Sequence, residues 1–142
     1  MNRNTNLLEK LIPSIINLII ISSITYLITL ISSFNTLLYT RISFVLVALI
    51  YNLGIAIFNN NRCLGMFIMN TYWDKKYSIQ QRVIYALLYT FSYSTIVFYI
   101  FIPFDLLIIN LLFLQLPIVI LKKTTLHGYL SGNMSTVVKK KD

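Results

Sequence analysis

Residues able to do chemistry are sparse in this chain, and most are amides and hydroxyls set in apolar sequence. Asn17, Asn52 and Asn110 each interrupt a run of Leu, Ile and Phe, and Asp105 is a lone carboxylate between two such runs. A buried amide can bond a neighbouring helix or coordinate an ion through its oxygen, whereas a carboxylate at bilayer depth usually serves a function. His127 is the only histidine, and the single cysteine, Cys63, excludes an internal disulfide and a cysteine-based metal cluster. No His-Glu-x-x-His, P-loop or Gly-x-Ser-x-Gly pattern occurs. The reading is of a protein that is not an enzyme, with no cofactor and no metal.

The elements that must position these groups are apolar. Of 142 residues, 57% are hydrophobic and only 11% charged, with a mean hydropathy of +0.74. A soluble domain devotes about a quarter of its residues to charge. The expected fold class is all-α: a polytopic transmembrane helical bundle of four spans, with a short interfacial segment between spans two and three. The expected spans cover about residues 11–34, 41–59, 82–103 and 105–122, followed by a cytoplasmic tail at 123–142, all in a single domain. A helix needs about 20 residues to cross the hydrocarbon layer, so the second and fourth spans rely on flanking residues. A cleaved signal peptide fits the first span poorly, because no small-x-small site follows a short apolar run.

Charge placement sets the topology. Arg3 and Lys10 lie in the N-terminal arm, Arg62, Lys75, Lys76 and Arg82 in the central connection, and Lys122, Lys123, Lys139, Lys140 and Lys141 in the tail. Four spans gather all of these on one face and leave Arg41 alone on the other, which makes that face cytoplasmic in an inner (plasma) membrane. The net charge of +8 then calls for no nucleic-acid partner. The expected partners are the bilayer and anionic headgroups at the cytoplasmic face, with a homo-oligomer or a membrane-protein partner left open. Asn133-Met134-Ser135 matches a glycosylation sequon by chance, since it falls on that face.

Ser14, Asn17, Ser22, Thr25, Thr29, Ser32 and Ser33 share one side of the first helix, either as packing contacts or as the lining of a polar route. Ala48, Asn52 and Ala56 form a small-residue seam on the second, and Tyr85, Tyr89 and Tyr93 one face of the third. Residues 62–77 read as an interfacial helix or hairpin with Gly65 and Asn70 as turn points. Ser78 and Gln81 have capping-box spacing, so the third helix starts there with Arg82 in its first turn. That charge opposes the helix dipole, which suits lipid or a partner group better than helix stability. Pro103-Phe104-Asp105 separates the last two spans, with Asp105 placed to cap the fourth.

The stretch from Lys122 and Lys123 through Leu126, His127, Ser131 and Gly132 to Thr136-Val137-Val138 resembles the closing signature of the RDD family of small bacterial membrane proteins. Lys10 and Asn17 occupy the positions of that family's opening Arg and Asp. The segment around Gly65 is similar to the start of its connection, and Arg82 to the arginine opening its third span. Both signature aspartates are replaced, by Asn17 and Gly128. The resemblance implies a multi-pass bundle and, from some members, transport, including sodium/proton exchange. Two functions follow as expectations: a transport-related protein for an ion or small solute, or a non-transporting accessory or scaffold that associates with lipid or a larger complex. A polar cavity joining Asn17, Asn52 and Asn110 would favour the first. His127 is expected to bond across to Asn17 or a helix-end carbonyl, with Gly128 and Gly132 permitting close approach of the tail.

Overall fold

The computed structural model describes residues 3–32, 36–60, 62–98 (backbone alone from 92) and 116–138. Asp105, Asn110 and the Pro103 break lie outside the described residues. In chain order the elements are β1 (Arg3–Asn4), α1 (Leu7–Ile31), α2 (Leu37–Phe58), α3 (Leu64–Ile68), β2 (Thr71–Trp73), α4 (Ile79–Phe98), α5 (Leu116–Lys122), α6 (Leu126–Leu130) and β3 (Thr136–Val138).

Local chemistry accounts for where the helices begin. The Asn6 side chain accepts from Glu9 N at 2.8 Å while Asn6 N donates to a Glu9 carboxylate oxygen at 2.9 Å, a capping box that starts α1 four residues before the expected span. Thr36 caps α2. The expected Ser78/Gln81 box is present: Gln81 N donates to Ser78 Oγ at 3.3 Å and Ser78 N to Gln81 Oε1 at 3.1 Å. With 25 and 22 residues, α1 and α2 are both long and apolar enough to cross a bilayer. Arg41 is consequently a residue within α2 rather than its flank. The described part of α4 has 20 residues but, with Arg82 and its tyrosines, does not reach that apolarity.

Little of α1 and α2 faces the protein: 22% and 28% of their most apolar windows are buried. Ile19, Leu30 and Ile50 are among many large apolar side chains left exposed. What these helices bury is small or polar. Ala48, Asn52 and Ala56 are all buried, as the seam predicts, and α2 packs most extensively on α4. Asn52 Nδ2 donates to Thr90 Oγ1 across that interface at 2.9 Å. On α1 the polar stripe is interrupted: Ile21 is fully buried at its centre while Ser22 is exposed. The hydroxyls of Thr25 and Thr29 donate back to Ile21 O and Tyr26 O, both at 2.8 Å, and so are satisfied within their own helix.

The structure is mostly helical, as expected, and the strictly all-α reading is amended by one small element: a three-stranded antiparallel sheet of order β1-β3-β2 at one end of the bundle. Arg3 and Asn4 pair with Val138 and Val137, and Thr71, Tyr72 and Trp73 with Val138, Val137 and Thr136. The N-terminal arm, the central connection and the tail therefore meet at the same end. Every described basic residue except Arg41 belongs to these segments or to the helix turns beside them. The expected interfacial segment is α3 followed by β2. Asn70 makes the turn between them with φ 52°, whereas Gly65 lies inside α3 and makes no turn.

Candidate functional site

Gly65 seats α3 against α1. A side chain there would lie 2.6 Å from Pro13 Cα and 2.8 Å from its carbonyl carbon, so only hydrogen fits. Asn17, 1% exposed, ties the same junction: its Oδ1 accepts from Gly65 N at 3.3 Å and from Tyr51 OH at 3.2 Å. Between this junction, α4 and the tail lies a cavity of about 70 Å³. Asn17 and Asn52 both line it, and so do Ser14, Cys63, Tyr85 and Tyr89.

The tail forms one wall of the cavity. Thr125 caps α6 by accepting from Gly128 N at 3.3 Å, and the Thr124 hydroxyl donates to Met134 O. Gly128 has no room for a methyl group, since it would meet Met134 O at 2.6 Å. Gly132, at φ 97°, lies against Gln81. Lys10 Nζ donates to Lys123 O, and Thr5 N to Thr136 O at 3.1 Å, so α1 and the arm before it hold both ends of the segment. The Asp74 carboxylate accepts from Ser135 Oγ at 2.8 Å and from Tyr77 OH. Burial, with Asp74 beside it, pushes the Tyr77 hydroxyl up to about 12, which keeps it a donor.

His127 is the least conventional group here. It is buried on the inner side of α6, its ring edge-on to Tyr85 and Tyr89 at centroid distances of 4.9 and 5.0 Å. Burial pushes its imidazole down to about 3, so it is neutral at ordinary pH. Its Nδ1 is buried and has no hydrogen-bond partner. The expected bond to Asn17 is not made; the Asn17 oxygen accepts from Tyr51 and Gly65 instead.

Of the residues singled out from sequence, Lys10, Asn17, Asn52 and His127 line the cavity, while Gly65 and Gly128 shape its walls. Gly132 packs on Gln81, and Arg82 belongs to a separate cluster. Thr71, Trp73, Thr124, Thr125 and Met134 also line the cavity and went unrecognised. A Thr two residues before His127 could have been read as a helix cap, but nothing local marks the others. Glu9 is the only carboxylate on the lining, and Arg3 pairs with it. Among the described residues no group of His, Cys, Asp and Glu could hold a metal ion. Comparisons of the chain with family models, curated proteins and solved structures return no match.

Proposed function

We propose that this chain is a multi-pass inner-membrane protein of the RDD type, crossing four times with both termini cytoplasmic, and that its cavity handles an ion or small polar solute. The observation that carries the reading is the joining of Asn17, Asn52 and His127, whose Nδ1 has no hydrogen-bond partner, in the lining of one cavity walled by the tail. About 70 Å³ admits a few waters, an alkali cation or a solute of a few heavy atoms. Amide and hydroxyl oxygens suit a weakly held, partly hydrated guest. The carboxylate at depth that proton coupling usually employs is replaced at Asn17.

The sheet supports an even number of crossings. It joins the arm, the connection and the tail at one end, so α1 and α2 lead away from that end and back to it, and a second such pair after β2 agrees with the tail's place in the sheet. In a Cys63→Ser background, an impermeant thiol reagent added outside should modify Thr36→Cys and leave Leu130→Cys untouched. Labelling of Leu130→Cys would overturn the four-span arrangement.

Flux is tested in proteoliposomes with sodium, potassium, protons, urea and glycerol. At least one should move faster through wild-type vesicles than through empty ones. Because Cys63 is the only cysteine and lines the cavity, a small cationic thiol reagent should suppress that flux and leave Cys63→Ser unaffected. No flux of any of these in wild type or Asn17→Asp would sink the proposal.

A further inference from the structure

A second polar cluster lies apart from the cavity, where α2 gives way to α3 and α4 begins. Arg82, in the first turn of α4, is 8% exposed. Its Nη1 donates to Asn60 Oδ1 at 2.8 Å, and its buried Nε has no acceptor. Asn60 holds a left-handed turn at φ 48° that carries its side chain to the arginine. Arg62, two residues on, has a buried Nε that is also without an acceptor. Its guanidinium lies over the rings of Tyr72 and Phe67, 4.0 and 4.7 Å from their centroids. The one ion pair among the described residues joins Arg3 to Glu9, so neither arginine has a carboxylate.

Burying a guanidinium without a counter-charge is costly, because the group keeps its charge and its donors lose water. The first turn of a helix adds an unfavourable dipole at Arg82. An anion completing the cluster would offset both costs, and a guanidinium's planar fork matches phosphate oxygens. The surroundings name the source. Phe58, 88% exposed, ends α2 beside the Asn60 turn, and Phe67, Ile68 and Ile79 are exposed around the same connection. Free phosphate has no use for that apolar surface, whereas a lipid would lay its acyl chains on it while its headgroup met the arginines.

We propose that Arg82 and Arg62 form a site for the headgroup phosphate of an anionic phospholipid at the sheet end of the bundle. The purified full-length protein in detergent is titrated with dioctanoyl phosphatidylglycerol, binding being read by native mass spectrometry. One lipid should bind saturably. Arg82→Gln should weaken it by about 10-fold or more, the loss expected for a charge-assisted contact. Arg62→Gln, at a less buried position, should weaken it by several-fold with the fold intact, and Lys75→Gln should leave it unchanged. Binding unaltered in Arg62→Gln or in folded Arg82→Gln overturns the site. Inorganic phosphate at equal concentration should displace little lipid; displacement as effective as by the lipid itself overturns the lipid assignment.

Discussion

Gly65→Ala should destabilise the protein by about 3–5 kcal/mol, combining overpacking with the orphaning of a buried polar contact. The methyl group would meet backbone, not a side chain that can rotate away: Pro13 Cα at 2.6 Å, the carbonyl carbon at 2.8 Å, and the oxygen closer still. Relief requires α3 to withdraw from α1, and that breaks the bond from Gly65 N to Asn17 Oδ1. Gly65 N is then left without its acceptor, and Tyr51 OH alone holds the Asn17 oxygen. Gly54→Ala is the control, because nothing lies within 4 Å of a side chain there. In the middle of α2 that change should stabilise by about 0.5–1 kcal/mol. Both are measured by denaturant unfolding in detergent, followed through Trp73, the only tryptophan. Similar effects of the two substitutions would remove the close approach from the account of the fold.

The contrast between these glycines shows what could be read without coordinates. Gly65 and Gly54 look alike in sequence, each flanked by apolar residues, and only the position of Pro13 separates them. What was legible was local or periodic. The Ser78/Gln81 cap rests on a three-residue spacing, and Ala48, Asn52 and Ala56 recur every four residues on one helix face. The sheet was not legible: its strands are two or three residues long, and β3 finds Thr71 and Arg3 across more than sixty intervening residues. The stripe on α1 was legible as a protein-facing side, with Asn17, Thr25 and Thr29 buried, but not how its hydroxyls are satisfied, since a threonine in a helix can bond its own backbone. His127 was recognised and its partner was not. Asn17 bonds the connection, where Gly65 lets the backbone of α3 come close to α1, and no sequence signal marks that approach.

His127 should make the docking of the tail depend on pH. Its docked imidazole is pushed down to about 3 by burial, while in an undocked, solvated tail it returns to about 6.5. Between those values the undocked form binds the extra proton. Docking therefore has its full stability above about pH 6.5 and loses it as pH falls toward 3. At pH 5 the loss amounts to about 2 kcal/mol, an increase of about 30-fold in the undocked-to-docked ratio relative to neutral pH. The other charged groups on the cavity wall contribute less in this window: Glu9 is paired with Arg3, and Lys10, an ammonium, donates to Lys123 O. Hydrogen exchange of residues 126–138 in detergent is the measurement. Protection should fall about tenfold per pH unit below 6.5 after correction for intrinsic exchange. In His127→Gln, which has nothing to titrate there, that slope should flatten. If the variant keeps the wild-type slope, a group other than His127 governs the tail. If His127 does govern it, acidification opens the cavity that carries Asn17 and Asn52. Flux through wild-type proteoliposomes should then rise as pH falls from 7 to 5, while flux through His127→Gln should vary little over the same range.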